Sequence, residues 1–166
     1  MANNHTRRIT VLSVIIAANV ALSYIVKIPI PATSGFVNLV EAGIFLVALL
    51  GGARSGLIVG GMSGFLLDIL AGYPQWMFFS LIIHGLEGWL VGYLGYNKKW
   101  PQQTLAIILG AVIMLIGYVI AGAILVNWPA GWASIPGNIA QNIMGLIVAL
   151  ILMPALKRVP AITSYL

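Results

Sequence analysis

Residues 103–126 read QTLAIILGAVIMLIGYVIAGAILV, a stretch without a single charge. A helix of that length, at about 1.5 Å per residue, reaches ~36 Å, enough to cross a hydrocarbon layer ~30 Å thick. The stretch therefore predicts a transmembrane helix, and the rest of the chain repeats its pattern. Of the 166 residues, 61% are hydrophobic and 7% charged, and the mean hydropathy is +1.05, far more apolar than a soluble domain. Working outward, five further spans are expected at Ile9–Val26, Val37–Leu50, Ala53–Ala71, Trp76–Tyr96 and Gly137–Leu156. The second is short, reaching only ~21 Å, so it is either a packed half-depth helix or begins earlier. The links are too short to hold a soluble domain. One all-α transmembrane domain over residues 1–166, a compact bundle of six helices, is the expectation.

Seven of the eight basic residues fall in segments that six spans place on one face: Arg7, Arg8, Arg54, Lys98, Lys99, Lys157 and Arg158. Lys27 alone falls on the other. The positive-inside rule then puts both termini in the cytoplasm of a plasma-membrane protein. This bias accounts for the net charge of +5, and no basic face or aromatic platform suggests nucleic-acid binding. Arg7 and Arg8 resemble the charged start of a signal peptide, but the apolar stretch after them is long and more spans follow. Zero cysteines exclude disulfides and thiolate metal sites. Trp76, Trp100, Trp128 and Trp132 sit near span ends, where tryptophans anchor at the interface or, on the outer side, stack on a ligand.

Within lipid, small residues mark where helices approach closely. Gly52, Gly56, Gly60 and Gly64 recur every fourth residue into the third span, and Gly85, Gly88, Gly92 and Gly95 line the fourth. These are expected to pack inside the bundle. Ser13, Ala17 and Ala21 form a similar stripe on the first span, where the pattern alone serves internal packing and a second protein equally well.

Ionisable groups in a span face the bundle interior or a cavity. The three acidic residues, Glu41, Asp68 and Glu87, all fall inside expected spans. Asn38 and Glu41 lie in the outer turns of the second span. On the fourth, His84 is ~12 Å and Glu87 ~16 Å deep, neighbours on one face. They either bond each other or offer a donor and an acceptor to a ligand; a lone His-x-x-Glu is weak grounds for a metal, and none is expected. Asn138, Gln141, Asn142 and Gly145 draw a polar stripe down the outer half of the sixth span, as interhelical glue or as a ligand-reading lining. Lys27–Gly35 and Asn127–Gly137, rich in Pro and Trp, could roof such a pocket. There is no GxxxxGK[ST] loop for ATP, no paired HExxH and no Ser–His–acid spacing, so neither a catalytic site nor a bound cofactor is expected.

Ala17-x-x-x-Ala21, the run Glu41-Ala-Gly-Ile-Phe, Ser63-Gly-Phe-Leu-Leu-Asp68 and His84-Gly-Leu-Glu-Gly88 together resemble the substrate-binding S-component of an energy-coupling factor (ECF) vitamin transporter. The resemblance covers nearly the whole chain. It implies a subunit that captures a vitamin outside the cell, with a transmembrane T-component and two cytoplasmic ATPases supplying the energy, and that topples in the membrane to release its cargo. By this likeness Ser13, Ala17 and Ala21 dock on the T-component, and Trp76, His84, Glu87, Trp132, Asn138, Gln141 and Asn142 fall in the pocket. Asn38 and Glu41 are added on chemical grounds alone, and Asp68 is read as structural.

With amides, an imidazole, carboxylates and indoles, and only Lys27 as a cation nearby, the expected pocket suits a neutral or weakly basic aromatic ring with hydroxyls. Pyridoxine or the hydroxymethylpyrimidine precursor of thiamine fits best; riboflavin needs a roomier site. Two other classes stay open: an independent carrier using Glu41, Asp68 or Glu87 for ion coupling, and an assembly subunit without ligand.

Overall fold

Apolar stretches with few breakers satisfy their backbone internally, and in lipid that leaves helices. The computed structural model describes residues 4–160 and 165–166; residues 1–3 and 161–164 of the expected domain lie outside the described residues. Helix α1 covers Asn4–Ile25, α2 Val40–Ala71, α3 Met77–Gly95, α4 Trp100–Leu125, α5 Trp128–Ala133 and α6 Ile135–Leu156. Among the described residues, five helical stretches are long and apolar enough to cross a membrane: α1, α2, α3 with the turn before it, α4, and α5 continued by α6. The protein is all-α in its long elements and polytopic.

The second and third spans expected from the sequence are two arms of α2, joined at Gly52. This residue has φ 79° and ψ −173°, a conformation open essentially to glycine alone. Beyond it the chain folds back on itself. A Cβ on Gly56 would lie 3.0 Å from that of Ala48, and His84 touches both Glu41 and Gly64. A straight helix would hold those two residues ~35 Å apart. The first arm, residues 40–51, is almost wholly buried and only ~18 Å long, less than the hydrocarbon thickness. Of the five long apolar helices among the described residues, α2 is divided by the reversal at Gly52 into two arms, which correspond to the second and third expected spans. The short arm starts at Val40 because residues 35–37 belong to a strand.

The two glycine stripes form the seam between α2 and α3. A Cβ on Gly56 would strike the Gly88 carbonyl, one on Gly60 the His84 carbonyl, and one on Gly92 the Gly52 backbone. Close main-chain approach is what small residues permit in a bundle without a hydrophobic driving force. Gly145 brings α6 against Glu41 in the same way. Ile44, Phe45, Leu67 and Val91 fill the core around these contacts.

Arg8 Nη2 donates to Ser55 Oγ at 3.1 Å, and Tyr96 lies on Gly52. Arg7, Arg8, Arg54, Lys98 and Lys99 thus share the end of the bundle at which α2 turns. Lys27 is at the opposite end, where its Nζ donates to the Ala71 carbonyl at 3.2 Å. There the link after α1 forms two short antiparallel strands, β1 (Ile28–Ile30) and β2 (Gly35–Val37), with Pro29 opposite Phe36. A 3-10 turn at Pro31–Thr33 joins them, closed by Ser34 in the left-handed region at φ 49°. This small hairpin covers the polar interior.

Candidate functional site

Beneath the hairpin, four helices converge on His84. Its position on α3 is set by the seam, since a Cβ on Gly64 would fall 2.6 Å from the His84 ring. Nδ1 lies 3.1 Å from Glu87 Oε2, one helical turn away, and 3.4 Å from Glu41 Oε1. Facing two carboxylates, Nδ1 carries the hydrogen. Nε2 then accepts from the Tyr118 hydroxyl of α4 at 2.9 Å, and Tyr118 is 2.7 Å from Ser80 Oγ. On the other side, Gln141 Nε2 of α6 donates to Glu41 Oε1 at 2.9 Å, while its Oε1 accepts from the Asn38 backbone N–H at 2.7 Å. A continuous polar chain runs from Asn38 to Ser80, and all its side chains on α2, α3 and α6 are buried.

A cavity of about 40 Å³ opens against this chain, walled by Asn38, Asp68, Ser80, His84, Tyr118, Asn138 and Gln141, with Thr33, Phe36 and Trp76 on the hairpin side. Trp76 is held in place by its indole N–H, which donates to the Ser34 carbonyl at 2.9 Å. Its ring lies 5.8 Å from that of Tyr118. The volume admits one or two waters, so an aromatic ring enters only if the hairpin or α5 moves outward. Larger concavities of about 190 Å³ beside α1 and about 500 Å³ on the outer face of α2 and α3 have apolar walls. A polar solute would lose its hydrogen bonds there.

Two carboxylates, of Glu41 and Glu87, contact the His84 imidazole and Asp68 shares the cavity wall with it, while among the described residues no lysine or arginine reaches that wall. Lys27 caps α2 instead, close to the rings of Tyr24, Phe36 and Tyr73. Glu41, His84 and Glu87 hold ligand-type atoms within 4.8 Å of one another, which makes them the trio a metal ion would use. In this arrangement His84 Nδ1 contacts Glu41 Oε1 and Glu87 Oε2, and Glu41 Oε1 also accepts from Gln141.

The structure brings together Asn38, Glu41, Trp76, His84, Glu87, Asn138 and Gln141, although Asn38 and Gln141 stand 103 positions apart in the chain. Glu87 lies behind His84 and outside the cavity wall. Asn142 is one turn aside, its Nδ2 donating to the Asn138 carbonyl at 2.9 Å and touching Met114 sulfur. Trp132, expected in the pocket, is not brought in. It is 61% exposed and lies in an apolar groove with Leu115, Ile116, Val119, Ile120, Trp128 and Ile135. The physical reason is the docking of α5, whose Gly131 packs against Val119 and Gly122 of α4 and turns the next side chain outward.

Tyr118, Ser80, Thr33 and Phe36 are absent from the site expected on sequence grounds, and Asp68 is assigned there to structure, yet all five line the cavity. Two of them carry a legible signal. Tyr118 is the one hydroxyl deep in an uncharged span, and such a group needs a partner. Ser80 lies one helical turn before His84. Thr33 and Phe36 depend on how the hairpin folds over the bundle. On the outward face of α1, Ser13, Ala17 and Ala21 are all exposed.

A family model for the ECF-type riboflavin transporter, S component, matches residues 3–158. The chain is 35% identical over 166 residues to a protein of Lactococcus lactis subsp. cremoris (strain MG1363) described as thiamine precursor transporter HmpT, covering 99% of this chain and 96% of that one. It is also 35% identical over 125 residues to an uncharacterized protein of Pyrococcus woesei, covering 75% and 84%. The family model spans every helix described above, including those that build the polar cavity, and the chain belongs to the family of ECF-type riboflavin transporter S components.

Proposed function

We propose that the chain captures the hydroxymethylpyrimidine precursor of thiamine from outside the cell and delivers it with a transmembrane T-component and two cytoplasmic ATPases. The observation that carries this reading is the polar chain from Asn38 to Ser80 buried beneath a hairpin at the end of the bundle opposite most of the basic residues. Under the positive-inside rule the Gly52 end, with both termini, is cytoplasmic in the plasma membrane, and the hairpin faces outward. Trp76, Phe36 and Tyr118 offer faces for a flat ring, Asn38, Asn138, Gln141 and His84 line the cavity that orients it, and Glu41 and Glu87 hold His84 from behind. The relative described as a thiamine precursor transporter favours hydroxymethylpyrimidine over riboflavin. Ser13, Ala17 and Ala21, exposed on α1, form the surface for the T-component.

Titration of tryptophan fluorescence in the purified chain tests the reading. Saturable binding of hydroxymethylpyrimidine at nanomolar levels, with pyridoxine and riboflavin at least tenfold weaker, is expected. Tighter binding of pyridoxine or riboflavin would reassign the substrate. Proton-driven uptake by the chain alone would replace the proposal with an independent carrier.

A further inference from the structure

Most hydrogen-bond donors of the cavity wall are already engaged within the protein. Gln141 spends its amide on Glu41 and on the Asn38 backbone, and Asn138 Nδ2 donates to Ser134 Oγ at 3.3 Å. His84 Nδ1–H is shared between two carboxylates. Tyr118 and Ser80 bring one hydrogen each to a contact that involves His84 Nε2 and each other. Ser80, on the same wall as Asp68, has its hydroxyl engaged with Tyr118. Buried carboxylate oxygens of Glu41, Glu87 and Asp68 are left without a partner, and of these three residues only Asp68 lines the cavity. Its side chain is 6% exposed and lines the cavity, and its Oδ2 has no hydrogen-bond partner. A buried carboxylate oxygen without a donor is costly, so the site is completed by a guest that brings donors.

We propose that Asp68 is a ligand-binding residue that accepts N–H donors from an amino-substituted nitrogen heterocycle. This rests on the capture function proposed above and names the residue that reads the amino edge of its substrate. An exocyclic amine beside a protonated ring nitrogen presents two parallel N–H groups, which a carboxylate accepts as a fork. A ring carrying a carbonyl oxygen at that position sets oxygen against oxygen and is rejected. Trp76 and Tyr118, also on the cavity wall, supply the flanking aromatic faces.

The test compares 4-amino-5-hydroxymethyl-2-methylpyrimidine with its 4-oxo analogue on the purified chain and on Asp68→Asn. The wild-type chain should prefer the amine by roughly 50-fold, and Asp68→Asn, whose amide both donates and accepts, should reduce that preference below threefold. An unchanged preference in Asp68→Asn, or equal loss of affinity for both compounds, would overturn the role of Asp68 while leaving the capture function in place. Failure of the folded wild-type chain to bind either compound would overturn the substrate reading and this proposal with it. Where Asp68→Asn does not fold, Asp68→Glu is the second variant: it keeps the charge but shifts the carboxylate, so affinity for the amine should fall at least fivefold. Wild-type affinity in Asp68→Glu would count against direct contact.

Discussion

The seam between α2 and α3 and the outward face of α1 carry the same sequence signal, small residues every three or four positions, and meet opposite fates. Along the seam, Gly56 and Gly88 bring two backbones together so closely that neither position has room for a Cβ. On α1, Ser13, Ala17 and Ala21 look outward and stay exposed. Small residues record a capacity for close approach; the partner is decided elsewhere. Glycine also differs from alanine in what it permits, because a Cβ already keeps backbones apart. The seam uses glycine throughout, and the α1 stripe has none.

Gly56→Leu should break the seam outright. Its side chain would have to displace the Gly88 main chain, at a cost above about 3 kcal/mol, and size-exclusion chromatography in detergent should show loss of the folded species. A normal elution profile and ligand affinity would mean that the two helices separate freely. On α1, Ala17→Trp with Ala21→Trp should abolish uptake in cells while changing ligand affinity less than about twofold. Equal loss of binding and uptake would return that stripe to internal packing.

Gln141→Leu sharpens the contrast at the polar interior, since it strands both the Asn38 N–H and the Glu41 carboxylate. Ligand affinity should fall more than about tenfold with the fold retained, as read by titration and thermal melting. Wild-type affinity would remove α6 from the pocket. Trp132→Ala should do least, less than about twofold on ligand affinity, because its side chain faces outward in an apolar groove. A larger loss would require α5 to turn inward when the ligand binds.

Much of the architecture is legible in the sequence because lipid imposes simple rules. Uncharged stretches long enough to cross are helices, and Glu41, His84 and Glu87 within them require partners. The i, i+3 spacing of His84 and Glu87 and the stripe through Asn138 and Gln141 correctly mark shared helix faces. A break between Leu50 and Ala53 is expected from the sequence, but its tightness, a reversal centred on Gly52, is not legible there. Trp132 shows a related limit of sequence: a tryptophan near a span end stands equally near lipid and pocket, and only its rotation, outward in this structure, distinguishes them.

From the sequence alone come the membrane environment, the segregation of basic residues, and the set of polar groups that have to be buried together. These follow from local composition and from helical periodicity, which fix what shares a face on one helix. Tertiary structure decided which faces meet. It set Glu41 of α2 and Gln141 of α6 against His84 of α3, placed Tyr118 on the far side of that ring, and left an oxygen of Asp68 unpartnered in the cavity wall. Helix rotation and depth depend on contacts such as Gly64 against His84 and Gly145 against Glu41, and no single helix contains the information that sets them.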